Sequence, residues 1–409
     1  MAFGKVFVSE PLASADVNDI VNKIKSVEST ANTALAGVGS AAAMPGTVAF
    51  DSFGANDNAR IAGMNTFHKN HGGGILPTVI MPARIINHTT PIELYSGMKM
   101  LALNGRAAEY TRACTLNWQG GSGTSQLIFP ASGQTNQSYP GDGSPRDGLM
   151  AGIQFQGGAS TSWMPKYDPA TASYSGRTLW YWNFYGCAWK SFGAVWWGWG
   201  TGCTINGQTH FQGCALPALN ISGSENVIFG QDAQSFMDNS GAGAANQPHI
   251  ISRLEKSSIG RCMITARGNS WQLTIAGGRN IRVIGLDLDS QTSDPVQGAN
   301  LKITGGTNIL IGDCSFKGGM NSPSAGGGGE TANRGFIHIT GGSEIIVDRN
   351  AFTNDGTAAG ASTPLVYAAS GAGAIRVGLN GHSGFSAVCR QAAAGKITSI
   401  DPTISVTTS

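Results

Sequence analysis

Two groups of side chains in this chain of 409 residues could do chemistry. The first is a pair of carboxylates. In Leu286-Asp287-Leu288-Asp289 apolar and acidic residues alternate, so on a strand the leucines share one face and Asp287 and Asp289 the other. Two-residue spacing sets those carboxylates about 7 Å apart, inside the roughly 6.5–9.5 Å that an inverting glycosidase leaves for its water. Asp313, Glu330, Asp348 and Asp355 fall nearby, and Glu255, Asp232 and Asp294 are equally eligible by type. An acid on an exposed strand is ordinarily just solvated, so Asp287 and Asp289 stand as candidate catalytic residues and no more. The second group is aromatic. Thr178 to Gly202 holds Trp180, Tyr181, Trp182, Phe184, Tyr185, Trp189, Phe192, Trp196, Trp197 and Trp199. Strand parity places Trp180, Trp182 and Phe184 on one face and Tyr181 and Tyr185 on the other, with Trp197 and Trp199 opposite Trp196. Outward aromatics would form a stacking platform for the C–H faces of a sugar, or a subunit interface. The competing expectation is that nearly all of them fill a core. With Trp163 from the preceding loops, the platform candidates are Trp163, Trp180, Trp182, Trp196, Trp197 and Trp199.

Other chemistries find little support. The seven cysteines form no C-x-x-C pair and have no histidine partners at zinc-site spacing, so they read as small buried hydrophobes. No metal site and no cofactor is expected. Gly326 to Gly329 is not a phosphate loop, because no Lys-Ser/Thr follows. His249 and His338 alternate with apolar neighbours as ordinary strand residues. A net charge of +2 without a basic run argues against nucleic acid. No apolar run reaches the ~18 residues of a membrane span. The N-terminus lacks the charged head and apolar core of a signal peptide, so synthesis in a cytoplasm without general export is expected.

The elements that must position these residues come from a repeat. Leu273-Thr-Ile-Ala-Gly-Gly-Arg-Asn-Ile-Arg-Val, Leu301-Lys-Ile-Thr-Gly-Gly-Thr-Asn-Ile-Leu-Ile and Ile337-His-Ile-Thr-Gly-Gly-Ser-Glu-Ile-Ile-Val are one pattern written three times, starting 28 and 36 residues apart. Each copy reads as a strand, a Gly-Gly turn, a second strand and a third apolar pair: Leu286/Leu288, Cys314/Phe316 and Asn350/Phe352. Ser322 to Glu330 fills the longer gap. A fixed period of short strands is the signature of a solenoid, whose coils stack so that like residues ladder over like. The fold class expected is all-β, a parallel β-helix with three strands per coil. From Ile75 to Gly384, about 310 residues at ~27 per coil give roughly eleven coils and a rod of about 50 Å. Phe316 and Phe352 should stack inside. Leu219-Asn-Ile-Ser-Gly with Asn226-Val-Ile-Phe is a degenerate copy.

Three regions follow. In residues 1–46, Val17, Ile20, Ile24, Val27, Ala31, Ala34 and Val38 make three heptads, and the β-branched residues of the first half lean toward a trimeric coiled coil. The alternative is a single amphipathic helix on the body. Residues 47–384 are the β-helix body, with a helix-like stretch at Ala59 to Asn70. Gln119 to Ser175, rich in Gly, Ser, Pro, Asn and Gln, is expected to project as loops. Residues 385–409 read as strands of a small C-terminal cap that covers an open solenoid end and stabilises a trimer.

The order from Val48 to Gly105 resembles the opening of the pectate-lyase-like right-handed β-helix of bacteriophage tail spikes: a D-x-F-G-A-x-x-D turn, a capping helix, G-G-x-I-x-x-P and I-x-L-x-S-G. Asp51, Phe53, Gly54, Ala55, Asp57, Gly73, Gly74, Ile75, Pro77 and Ser96-Gly97 match that pattern. The resemblance implies a homotrimer in a phage tail, assembled in the host cytoplasm, held to a tail or baseplate protein through its N-terminus, and recognising a bacterial surface polysaccharide. It does not bring catalytic motifs with it. Of the polygalacturonase signatures only Gly381-His-Ser-Gly is faintly similar, and no calcium-binding acidic cluster of the pectate lyase kind stands out. A receptor-binding tail spike or tail fibre is therefore the leading expectation. The alternatives are a polysaccharide depolymerase on the same fold, and a structural fibre or adhesin without sugar chemistry.

Overall fold

Period-2 alternation in the three copied segments turns alternate aliphatic residues inward. In the computed structural model, Leu273 lies in register with Leu301 and then Ile337, Ile275 with Ile303 and Ile339, Ile281 with Ile309 and Ile345, and Val283 with Ile311 and Val347. All are buried. The structure describes residues 46–70, 76–103, 106–108, 111–130, 144–172, 178–230, 235–238, 248–266, 272–290, 300–318, 335–353, 364–383 and 388–408. The chain divides into two units, Met1–Thr47 and Val48–Ser409. Of the first, only residues 46 and 47 are described, so the heptads of Val17 to Val38 lie outside the described residues, as do Ser322 to Glu330.

The second unit is a right-handed parallel β-helix. Each coil has three faces, represented by Leu273–Ile275, Ile281–Ile284 and Asp287–Ser290. Eleven parallel strands, from Ile85–His88 to Gly381–Ser383, build the third face, in agreement with the number expected from the repeat length. Its inner row carries Ile86, Leu116, Phe155, Trp189 and Phe211, and further along Ile264, Leu288, Phe316 and Phe352. Phe316 and Phe352 stack at 4.8 Å between centroids and 8° between planes, a contact worth about 0.5–1.5 kcal/mol beyond the area it buries.

The first two faces belong to one 20-stranded sheet. In Ile250–Gly260, Leu273–Ile284 and Leu301–Gly312 a single bent strand serves both faces. Where the first two copies pair, the Gly-Gly step, expected to be a turn, is instead a bulge with a register shift, while in the third copy the strand breaks at Gly341-Gly342 between Ile337–Ile339 and Ser343–Asp348. Glycine is required there because the coils approach closely: a Cβ on Gly278, at φ +95°, would sit 1.9 Å from the carbonyl oxygen of Leu254. The turn itself falls two residues later, at Asn280, Asn308 and Glu344, with φ of 55°, 52° and 56°. Asparagine tolerates this left-handed region better than most residues. A second corner, before the third face, uses Gly285, Asp313 and Arg349 in the same conformation. There Arg349 donates to both oxygens of Asp313 at 2.9 and 3.0 Å, and these bonds hold that carboxyl below its usual range.

Just inside the second corner, Leu286, Cys314, Asn350 and Asn380 follow one another. Asn350 Oδ1 accepts from the Cys314 amide at 3.0 Å, and Asn380 Oδ1 accepts from the Asn350 amide at 2.9 Å. Side-chain amides thereby satisfy backbone groups in a dry corner. All seven cysteines are free thiols and buried, as expected for small core residues. Burial pushes Cys187, Cys203 and Cys214 up to about 12, so they stay protonated and unreactive.

The first coil is covered by the helix Asp57–Asn70, whose Ile61, Met64, Asn65 and His68 face inward at helical spacing. Its asparagines occupy backbone groups that an open edge would expose. Asn58 Oδ1 accepts from the Thr89 and Thr90 amides at 2.8 and 2.9 Å. Asn65 donates to the Pro91 carbonyl at 2.9 Å and accepts from the Glu93 amide at 3.1 Å. At the other end, Val388–Gln391 pairs in parallel with Val366–Ala368, and Ser405–Thr408 pairs with Val388–Gln391. These residues, expected to cap the open end, continue the stack of coils. Among the described residues no helix is long and apolar enough to cross a membrane.

Phe352→Ala is expected to cost about 3–5 kcal/mol in chemical denaturation, whereas Ile346→Ala, on the outer row, should change stability by less than about 0.5 kcal/mol. A second expectation concerns pH. His88 is buried, its Nδ1 donating to the Thr90 carbonyl at 2.9 Å, and burial holds its pKa below the ordinary histidine value. Protonation therefore costs more in the folded than in the unfolded state. The contribution of the neutral ring is complete above about pH 6.5 and is lost as pH falls through the lower folded value. Melting temperatures from pH 7 down to 5 should fall less steeply in His88→Gln than in the parent; parallel curves would contradict this.

Candidate functional site

The aromatic segment is divided by a corner. Thr178–Trp180 lies on the first face and Asn183–Tyr185 on the second. Between them Tyr181 has φ 56°. A left-handed residue resets strand alternation, so Trp180 and Trp182 do not share a face, contrary to the parity expectation. Trp182 and Phe184 turn inward and are fully buried, and Trp182 donates to the Pro145 carbonyl at 3.0 Å.

Three of the six platform candidates therefore belong to the core. Besides Trp182, Trp196 is buried on the first face. Trp163, expected on a projecting loop, lies instead on the path of the coil. Its amide donates to the Ala194 carbonyl at 2.9 Å, and its own carbonyl accepts from the Leu127 amide at 2.8 Å. Its indole packs within 5.1–5.3 Å of Phe155, Phe184 and Trp189. Trp199, in an outer row with Thr178 and Ser222, is also covered. Only Trp180 and Trp197 keep part of a ring at the surface, and each lies under a cation. The guanidinium of Arg146 sits 4.2 Å from the Trp180 ring, and the ammonium of Lys166 lies 5.3 Å from that of Trp197.

The outward aromatics are the tyrosines. Tyr181 is 49% and Tyr185 50% exposed. Each ring lies against a glycine of the next coil. A Cβ on Gly202 would meet the Tyr181 ring at 2.3 Å, and one on Gly207 would meet that of Tyr185 at 3.1 Å. The glycines leave notches in the wall, and the rings rest in them instead of standing free. Asn183 is exposed between the two tyrosines, with Thr204 and Asn206 in register on the following coil. Below Tyr181 in the same corner come Gly202, Glu225, Lys256 and Asn280, where a pocket of about 440 Å³ opens. The offset between a tyrosine and its glycine is one coil length, the only sequence signal that could have singled these positions out.

The carboxylate pair lies elsewhere. Asp287 and Asp289 share the outer surface of the third face, both half-buried. Asp289 is in register with Lys317, whose ammonium reaches Asp287 at 3.4 Å. Between the coil of Tyr185 and that of Asp287 there are four steps of the third-face ladder, or about 19 Å along the axis. The structure does not bring the acids and the exposed aromatics together. His338, on the outer row of the first face, is covered and packs against the Tyr367 ring at 5.2 Å. Among the described residues no three His, Cys, Asp or Glu side chains gather where they could hold a metal ion.

No protein-family profile and no curated protein sequence matches the chain. Solved structures do. The A-module of mannuronan C-5 epimerase AlgE4 from Azotobacter vinelandii superposes with a TM-score of 0.50 at 14% identity, covering 88% of this chain and 97% of that one. ORF18 of Geobacillus virus E2 gives 0.44 at 12% identity, over 98% and 65% of the two chains. A tailspike protein of E. coli bacteriophage HK620, solved with a pentasaccharide, gives 0.43 at 13% identity, over 89% and 65%. Phage tailspikes, parallel β-helix enzymes and a surface adhesin of Streptococcus pneumoniae are thus among the structural neighbours. At these identities the likeness to the AlgE4 module establishes a shared fold, and the others add no further argument.

The division between core tryptophans and surface tyrosines is testable by stability alone. Trp182→Ala should cost about 3–5 kcal/mol in urea denaturation, and Tyr185→Ala no more than about 0.5 kcal/mol. Equal losses would mean that the Tyr185 ring is part of the packed structure.

Proposed function

We propose that this chain is a receptor-binding protein of the phage tail-spike or tail-fibre kind, which recognises a bacterial surface glycan on the outer wall of its β-helix. The observation that carries this reading is the pair of half-exposed tyrosines, each lying in a glycine notch. A ring held against the wall presents a flat apolar surface at little entropic cost, and its hydroxyl remains available to sugar hydroxyls. Asn183, Thr204 and Asn206 supply polar groups beside it. The wall holds these groups at a fixed spacing, because Asn183–Tyr185 and Thr204–Asn206 are each hydrogen-bonded to the coils on both sides. The shared fold is one that a mannuronan-acting module also uses, although fold alone does not decide function.

The remaining parts of the reading follow the sequence. The heptads of Val17 to Val38 assemble three copies, and the N-terminal segment attaches them to the phage tail. Depolymerase activity by Asp287 and Asp289 has less behind it, because the pair faces Lys317 and lies far from the tyrosines.

Adsorption of labelled protein to host cells tests the reading. Tyr181→Ala combined with Tyr185→Ala should lower adsorption at least tenfold with the melting temperature nearly unchanged, and Asp287→Asn should adsorb normally. Full adsorption by the folded double variant would overturn the site. Sedimentation at micromolar concentration should give a trimer, with Ile20→Asp plus Ile24→Asp shifting it toward monomer; a monomeric parent would remove the coiled-coil assignment.

A further inference from the structure

We infer that the corner pocket below Tyr181 is a subsite for a carboxylated sugar, such as a uronic acid, within the recognised glycan. This rests on the glycan-binding reading and names the chemical class that the reading leaves open.

The pocket lies where the first face meets the second. Glu225, Lys256 and Asn280 occupy the same corner position in three successive coils, with φ of 58°, 46° and 55°. Arg282 stands beside them, in register with Ser258 on the second face. The volume, about 440 Å³, falls in the ~300–1,000 Å³ range of small-molecule sites.

The electrostatics point to an anion. Lys256 and Arg282 are both exposed, and among the described residues neither is in an ion pair. The acid on the first-face side of the same corner, Glu255, is already held by Arg279 at 3.2 Å. Glu225 is the one carboxylate in the lining, which leaves two cations against one anion. Asn280 adds a directed donor. Its Oδ1 accepts from Asn308 Nδ2 at 2.6 Å, and that bond orients its own amide hydrogens away from Asn308. Arg282 and Lys256 would grip a carboxylate by charge-assisted hydrogen bonds, while Glu225 accepts from ring hydroxyls.

The floor is rigid. Asn226 is buried, its Oδ1 accepting from the Cys203 amide at 2.9 Å and its Nδ2 donating to the Gly200 carbonyl at 2.8 Å. Ser257 Oγ accepts from the Asn226 amide at 3.0 Å and donates to the Glu255 carbonyl at 2.6 Å. Glu225 lies two coils beyond Tyr181, roughly 10 Å along the axis, so a chain stacked on Tyr181 runs on into the pocket.

The test uses the full-length protein and calorimetric titration with two probes: host surface polysaccharide, and the same polysaccharide with its carboxyl groups chemically reduced. The parent should bind the native form at least tenfold more tightly. Lys256→Ala with Arg282→Ala should lose that preference while keeping its affinity for the reduced form and its melting temperature, and 1 M salt should weaken only the native interaction. Equal binding of both probes by the parent, or an unchanged preference in the double variant, would overturn the subsite. The glycan reading would survive that outcome if Tyr181→Ala still abolished binding, and would fall with it if no variant or probe mattered.

Discussion

Between its two end coils, the ladder strands of the body are hydrogen-bonded to the coil before and the coil after, at one strand spacing. No coil can alter its path without disturbing two others. This accounts for the inner rows of like residues, because a side chain that fits one coil must fit beneath the next. It also accounts for the corners. Where the chain must turn in one residue, the same left-handed conformation recurs from Glu225 through Lys256, Asn280 and Asn308 to Glu344. Where backbones come closest, only glycine fits, as at Gly223, whose Cβ would lie 1.8 Å from the Gly200 carbonyl oxygen. The first coil has no neighbour on one side, and the helix Asp57–Asn70 supplies the missing partners through Asn58 and Asn65.

The same constraint shapes the outer wall. Side chains on a ladder are held at fixed spacing, so a surface feature built from several coils is organised before any ligand arrives. Tyr181 and Tyr185 illustrate this, because the glycine that admits each ring belongs to a different coil from the tyrosine. The corner pocket is likewise assembled from three coils, with Asn226 and Ser257 fixing its floor by hydrogen bonds between them. A binding surface of this kind needs no loop closure, and its chemistry is set by which residues fall in one outer column.

Much of the fold was legible in the sequence because the repeat announces both the coil length and the inward residues; Phe316 over Phe352 and the eleven-stranded third face follow from it. The Ala59 to Asn70 stretch was legible from its composition, and the helix begins two residues earlier. The site was less so. Alternation is a property of one strand, and it does not survive a left-handed corner, so Trp180 and Trp182 separate at Tyr181. Trp163 sits in a segment whose composition resembles loops, yet its backbone pairs with Leu127 and Ala194 across coils, information that only register provides. The Gly-Gly steps look like turns by residue type, while their role is to let neighbouring backbones approach.

On the glycan-binding reading, a glycan lies on the wall formed by the second face and the adjoining corner. The most direct measurement is a crystal structure of the protein with an oligosaccharide prepared from the host surface polysaccharide. Density for a sugar ring is expected over Tyr181 or Tyr185, continuing toward Lys256 and Arg282. Density over Asp287 and Asp289 on the third face, with the tyrosines bare, would contradict it.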